Sequence, residues 1–223
     1  EIEGLAGTGS GGEDGVVIDG SSATESTNTV SIRQQLDGYI ALRDLTITGG
    51  RDGIQQLGTV GPTRNTLIVE RVHSYGNELS GLASIFAGNL IVNDSMFDNN
   101  GRYGIYNYQL LSTSTNNVTA TQNAWDGIYA RLVDDMTLTD SFFNGNDSEG
   151  LYATEVDRLS ISSSQFNDNI DNGIDVRIVA DISIDASQVN DNGTRSNGGF
   201  LAGLFSSYTD VVLITDTEFA GNT

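Results

Sequence analysis

The 223-residue chain contains no cysteine and no lysine, and its only proline is Pro62. Without cysteine the protein can have neither a disulfide framework nor a thiolate metal site, so packing and backbone hydrogen bonds must stabilise it. No apolar run approaches the roughly 18 residues of a transmembrane helix, which argues against a membrane span. The first residue is Glu1 rather than methionine, so we expect a mature or excised segment of a longer protein.

Positive charge is scarce: ten basic residues, all arginine, stand against 30 acidic residues, and the net charge is −20. A charge of this size repels nucleic-acid phosphate and anionic lipid, so the composition argues against a role on DNA, RNA or a membrane surface. Such acidity suits a salty exterior. We therefore expect a secreted or cell-surface protein.

Turn-forming residues are abundant, with 27 glycines distributed along the chain. No stretch keeps apolar residues at helical spacing for three turns, whereas short alternating runs between polar turns recur throughout. Glycines followed by Leu or Ile recur at intervals of 23 residues, namely Gly81, Gly104, Gly127, Gly150 and Gly173. Longer intervals, from Gly53 and to Gly203, indicate inserted surface loops at 58–66 and 193–200.

Asparagines mark the same period, at positions 77, 100, 123, 146, 169, 192 and 222. Asparagine tolerates the left-handed backbone of a sharp turn, and its amide can bond to the asparagine of the next coil, so we expect a ladder. Apolar pairs such as Leu90 and Val92 alternate upstream of a position that holds Phe97, Phe143, Phe166 and Phe219. One coil has Thr113 and Thr115 in place of the apolar pair, which predicts a locally polar core.

These patterns predict an all-β fold, a right-handed parallel β-helix of about eight coils of 23 residues with three short strands per coil. We expect residues 1–38 to form an N-terminal cap or an irregular first coil, and residues 39–223 to form one continuous domain. The last coil has no sequence that would cap it. An open coil exposes strand edges, so we expect a longer parent protein or end-to-end self-association.

The repeat, a pair of the Leu-x-Val kind followed by Phe, Asn and a Gly-Ile-Tyr unit, resembles that of the pectate lyase-like superfamily. Residues 42–50 and 104–106 carry the resemblance most clearly, and it extends over about residues 16 to 223. Families with this repeat include polysaccharide lyases, mannuronan epimerases, glycoside hydrolases, phage tailspikes and adhesins. The resemblance implies the fold, and it implies binding of an extended sugar chain along an outer face.

Two outward-facing columns follow the marker glycines, and a ligand could bind there. The candidate ligand-binding residues are Tyr106, Tyr129, Tyr152 and Asp175 in the first column, and Tyr108, Arg131 and Arg177 in the second. The tyrosines could hold sugar rings or could simply stabilise the sheet. The arginines could bind carboxylated sugars or could compensate Asp175 and Glu155.

Catalytic motifs are absent, and the lack of lysine removes one usual base of a polysaccharide lyase. In a lyase, Arg131 or Arg177 could neutralise a uronate carboxylate, and Tyr129 or Tyr152 could transfer a proton if its pKa were lowered. The only histidine, His73, lies near Glu70 in the sequence and is a further candidate base, although a surface role is the alternative.

A column of aspartates at the turn after this strand is the candidate metal site, with Asp134 and Asp157 in one position and Asp135 and Asp181 in the next. Like charges stacked at coil spacing repel one another, and calcium with oxygen ligands would neutralise them. Solvent screening together with Arg158 is the alternative.

Two functions follow from the sequence. The first is an extracellular module that binds or processes an acidic polysaccharide or cell-surface glycan along an outer face. The second is a non-catalytic structural or adhesive stalk that stacks end to end.

Overall fold

The computed structural model describes residues 2–3, 16–21, 27–33, 37–58, 65–194 and 202–223. In these residues it contains 14 strands and no helix. The short strands are β1 (Ile2–Glu3), β2 (Val16–Asp19), β3 (Val30–Arg33), β5 (Ile54–Leu57), β8 (Met96–Asp98) and β10 (Thr119–Thr121). The long strands are β4 (Gly38–Thr48), β6 (Asn65–Tyr75), β7 (Leu82–Asn93), β9 (Ile105–Asn116), β11 (Ile128–Thr139), β12 (Leu151–Ser162), β13 (Ile174–Asp185) and β14 (Leu204–Thr215).

The strands stack as a parallel β-solenoid, as the repeat predicted. Consecutive long strands pair in parallel with a register of 23 residues, so that Ile105, Ile128 and Leu151 lie opposite one another. Only β1 pairs antiparallel, against β3. Side chains of one strand alternate between a common core and the outside, because successive residues of a strand point to opposite faces.

Each coil has three faces, but it does not have three separate strands. The first face (residues 128–131 in β11) continues into the second face (residues 135–139) as one 12-residue strand. The third face shrinks from three-residue strands to single bridges, as at Phe142 and Gln165. A single residue in the left-handed conformation makes the corner inside each long strand, so the strand bends without interrupting the ladder.

Left-handed residues stack in a column at each corner. The first corner, between the first and second faces, has Phe86, Gln109, Leu132, Glu155, Ile178 and Tyr208. The second corner has Asp44, Arg71, Asp94, Asn117, Asp140, Ser163, Ala186 and Asp216. The third corner has Gly49, Gly76, Asn99, Gln122, Gly145, Asp168, Asp191 and Gly221.

The predicted asparagine ladder runs beside the third corner. Each ladder asparagine donates its side-chain N–H and its backbone N–H to the side-chain oxygen of the next one, at 3.0 and 3.1 Å between Asn123 and Asn146. The same bonds continue to Asn222. The expectation that these asparagines are themselves left-handed is wrong, because the residue before each of them makes the sharp turn and leaves the amide free to point inward.

The core consists of the apolar columns that the repeat predicted. Leu90, Val92 and Phe97 are buried, and the rings of Phe143 and Phe166 stack at 5.1 Å. The coil with threonines is polar inside, as expected. Thr115 lies 3.5 Å from the Ser141 hydroxyl, while the buried hydroxyl of Thr113 has no hydrogen-bond partner among the described residues.

The solenoid has about six regular turns of about 23 residues, which correspond to the six 12-residue strands, rather than the eight coils that we predicted. In the two preceding turns, extra residues at the first corner separate β3 from β4 and β5 from β6. Strand β2 pairs with residues 45–48 of β4. Most of the predicted cap at 1–38 and of the loops at 58–66 and 193–200 lies outside the described residues.

Candidate functional site

Three stacked tyrosines dominate the outer side of the first face, and we call Tyr106, Tyr129 and Tyr152 the tyrosine wall. They lie opposite one another in register, with ring centroids 5.2 and 5.3 Å apart and ring planes within 14° and 11° of parallel. The rings therefore cover one another's faces. What remains accessible is the outer edge of each ring, where the hydroxyl lies farthest from the sheet.

Arg177 extends this stack through a buried carboxylate. Asp175, only 1% exposed, accepts hydrogen bonds from Arg177 Nε at 3.0 Å and from Nη2 at 2.7 Å. This fork places the guanidinium over the ring of Tyr152 at 5.3 Å and over that of Phe205 at 5.6 Å. Asp175 thus positions Arg177, and a guanidinium occupies the place in the stack where another ring would lie.

The second outward column lies closer to the first corner. Arg131 lies in register with Tyr108, and its Nε donates to Glu155 Oε1 at 3.0 Å in a pair that stays half-exposed. Tyr108 makes an edge contact with Phe86, with 5.5 Å between the ring centroids. Both candidate arginines therefore have a carboxylate partner, and Arg131 is the one whose partner is accessible to solvent.

The structure adds three residues to the wall that our sequence analysis missed. Tyr103 lies 5.3 Å from Tyr106 and 5.2 Å from Tyr129, and Trp125 makes an edge contact with Tyr103 at 5.4 Å. Arg102 covers the Trp125 ring at 4.9 Å, and Trp125 is 46% exposed. The available signal was position, since these residues come one or two places before a marker glycine.

A pair of carboxyl groups lies beside these aromatic residues. Asp126 is buried and accepts a hydrogen bond from the Glu149 backbone N–H at 3.2 Å. Burial first, and then the neighbouring Glu149 carboxylate, raise the pKa of Asp126 to about 8. Asp126 therefore holds its proton at neutral pH, and burial together with the Asp126 charge raises the pKa of Tyr103.

The wall tyrosines are placed to donate hydrogen bonds rather than to abstract protons. Burial raises the pKa of both Tyr106 and Tyr152, so both phenols stay neutral. A lyase base would need the opposite shift. Among the described residues, no hydroxyl of the wall has a hydrogen-bond partner, which leaves three donors free for a ligand.

The aspartates that we proposed as calcium ligands fall into two columns. Arg158 lies in register between Asp135 and Asp181, and its Nη2 lies 2.7 Å from Asp135 Oδ2. Asp134 and Asp157 line a groove at the first corner instead. In the described part of the chain, no group of three or more His, Asp or Glu side chains is placed to hold a metal ion. Calcium binding stays a prediction.

His73 lies on the third face, away from the tyrosine wall. It is in register with Met96, its Nε2 lies 2.5 Å from Asp98 Oδ1, and its ring lies 4.6 Å from that of Tyr75. The structure therefore separates this candidate base from Arg131 and Arg177.

No protein-family model matches the chain, and no curated protein matches its sequence. Solved structures share its fold. Tailspike protein 2 of Escherichia coli O157:H7 bacteriophage CAB120 superposes with a TM-score of 0.74 at 14% identity, over 87% of this chain and 30% of the tailspike. The enzymatically active domain of bacteriophage CBA120 tailspike protein 2 gives 0.76 at 14% identity, over 87% and 33%.

The A-module of the Azotobacter vinelandii mannuronan C-5 epimerase AlgE4 gives a TM-score of 0.56 at 18% identity, over 93% of this chain and 75% of the module. The chain spans about a third of the two tailspike structures. At these identities the likeness establishes the pectate lyase-like parallel β-helix fold and nothing finer. Within the described residues there is no helix with the length and apolarity to cross a membrane.

Proposed function

We propose that the chain binds a polysaccharide lengthwise along the tyrosine wall, as a secreted or cell-surface protein. The observation that carries the proposal is the row of three phenol hydroxyls at coil spacing, bounded by Trp125 on one side and Arg131 on the other. A repeating ligand that runs parallel to the solenoid axis meets the same donor at every coil, roughly every 4.8 Å. Mannuronan, the substrate in the epimerase's name, is such a polymer, which supports this class of ligand.

We further propose that the preferred ligand is acidic. Guanidinium groups bind carboxylates in a two-pronged geometry, and Arg131 is half-exposed. A ligand carboxylate would replace Glu155 as the partner of Arg131. Arg177 is held by buried Asp175 and keeps its role in the stack.

The test is calorimetric titration with acidic and neutral oligosaccharides, with and without calcium. Tyr129→Phe removes one hydroxyl and keeps the ring stack, so affinity should fall about three- to tenfold, the equivalent of one hydrogen bond, at unchanged stability. Tyr39→Phe, at a 73% exposed tyrosine away from the wall, is the matched control and should change nothing. Absence of binding at millimolar sugar in every condition rejects the proposal.

Catalysis is a separate question at the same wall. A lyase reaction would release an unsaturated product that absorbs ultraviolet light, and Arg131→Ala should abolish that signal. If the wild-type protein binds the polysaccharide without producing the absorbance, the wall is a binding surface only.

One observation favours the second candidate function, a stalk that stacks end to end. Strand β14 has a neighbour on one side only within the described residues, and it leaves Val211, Val212, Leu213 and Ile214 between 41% and 55% exposed. A long, apolar strand edge invites pairing with another chain. Association that rises with concentration in light scattering, and that Val212→Lys removes, supports this function; a strict monomer at high concentration counts against it.

A further inference from the structure

The three corners place the same demand on the backbone but have different residues. Glycine, Asn, Asp and Ser, which tolerate the left-handed conformation, hold most positions of the second and third corners. Every residue of the first corner is large, with φ between 53° and 59°. A bulky or β-branched residue in this conformation is a genuine outlier, and Ile178 is both. Strain of this kind is retained where the side chain serves a function.

The large side chains of the first corner do not serve the core. Ile178 is 55% exposed and Tyr208 is 87% exposed, and neither contributes to the buried apolar columns. Together with Phe86 and Leu132 they form a ridge along one side of a groove of about 900 Å³. The ridge covers six coils, so at coil spacing the groove is roughly 24 Å long.

The opposite side of this groove is acidic. Asp134, Asp157 and Asp210 line it at coil spacing, with Leu111 beside them. Among the described residues none of these three carboxylates forms an ion pair or a hydrogen bond. The nearest guanidinium groups are engaged elsewhere, Arg158 with Asp135 and Arg131 with Glu155. The groove therefore combines an apolar ridge with a row of uncompensated negative charge.

We propose that the first-corner groove binds an amphipathic, cationic peptide segment of a partner protein. Its basic side chains pair with the carboxylates of Asp134, Asp157 and Asp210, and its apolar side chains pack on the ridge. The site is distinct from the tyrosine wall and does not depend on sugar binding there.

Charge and surface chemistry together select this occupant. A row of carboxylates repels an acidic polysaccharide, which belongs on the side of Arg131. A cationic amino-sugar polymer would satisfy the charge, but the middle of the ridge is aliphatic, at Leu132 and Ile178. Aliphatic side chains pack against aliphatic and aromatic side chains of a peptide, whereas aromatic platforms suit sugar rings better.

The experiment uses a fluorescent peptide of alternating leucine and lysine, about 16 residues long so that a helical form spans the groove. Fluorescence anisotropy measures its affinity for the full chain. A protein with net charge −20 attracts any cation, so the controls must match charge. Asp134→Asn/Asp157→Asn removes two charges from the groove, and Asp140→Asn/Asp216→Asn removes two from the second corner, where asparagine suits the left-handed backbone.

The groove pair and Ile178→Asn should each weaken peptide binding by about tenfold or more, the usual scale for losing buried charge contacts or a central apolar contact. The control pair and Tyr129→Phe should leave the affinity unchanged. Equal losses in the groove pair and the control pair, or undiminished binding to Ile178→Asn, overturn the proposal. Tighter, ridge-dependent binding of an oligomer of glucosamine overturns the peptide assignment.

Discussion

Removal of one ladder asparagine from the middle of the solenoid should destabilise the protein far more than removal of the last one. The side chain of Asn146 takes part in four hydrogen bonds. It donates to Asn169 and to the Ala120 carbonyl, both at 3.1 Å, and it accepts from the Asn123 backbone N–H at 3.1 Å and from its side-chain N–H at 3.0 Å. All of these groups lie in the protein interior.

Asn146→Ala removes these four bonds and leaves the buried backbone N–H of Asn123 without its acceptor. At about 1 kcal/mol of net stability per bond, and with a further penalty for the unsatisfied donor, the free energy of unfolding should fall by about 4–6 kcal/mol. Asn222→Ala loses three bonds, two from Asn192 and one to the Val189 carbonyl. Asn222 is half-exposed, so water replaces those partners and the loss should be about 1–2 kcal/mol.

Urea denaturation of both variants, followed by far-ultraviolet circular dichroism and by the fluorescence of Trp125, measures the difference. A gap of at least about 2 kcal/mol between the two variants is expected. Equal losses, or a loss below about 1 kcal/mol for Asn146→Ala, would refute the claim that the interior ladder contributes to stability through satisfied buried amides.

Three further changes test other parts of the structure. Thr113→Val replaces a buried hydroxyl that has no partner among the described residues by a methyl group of similar size, so urea denaturation should show a gain of about 1 kcal/mol; any loss contradicts the assignment. Because burial raises the pKa of Asp126 from 3.8 to about 8, its contribution to stability is complete below about pH 4 and is lost as pH rises through about 8; Asp126→Asn should flatten that fall in a pH series of melting temperatures. Ile178→Asn relieves a left-handed conformation that costs an ordinary residue about 1–2 kcal/mol and gives up the partial burial of one side chain, so stability should be unchanged or higher by up to about 1 kcal/mol; a clear loss would mean that Ile178 is structural.

The register of the solenoid could be predicted because identical residues recur at one interval and stack directly over one another. Gly127 shows why that marker is invariant within the chain: a Cβ there would lie 2.7 Å from the Gly150 carbonyl oxygen and 3.0 Å from Asn146 Nδ2. The first corner could not be predicted, because its left-handed positions hold large residues rather than the glycine or asparagine that signals a turn. The merging of two predicted strands into one is a consequence of that same corner.

The columns of the candidate site follow from spacing, but their contacts do not. Spacing places Tyr106, Tyr129 and Tyr152 in line, and it is the orientation of the side chains that turns the ring faces toward one another. Arg177 reaches the stack only because Asp175 holds it there. Trp125 belongs to no repeated column, so periodicity carries no signal for it.

Rod length is a free variable in this architecture. Nearly every ladder bond from the fourth coil onward joins residues 23 apart, so excision of 128–150, or its duplication in tandem, leaves all remaining columns in line. A shift of one residue would turn every core side chain of the following strands outward. Genes of this kind can therefore lengthen or shorten by whole coils, and each such event extends or trims the tyrosine row without redesigning it.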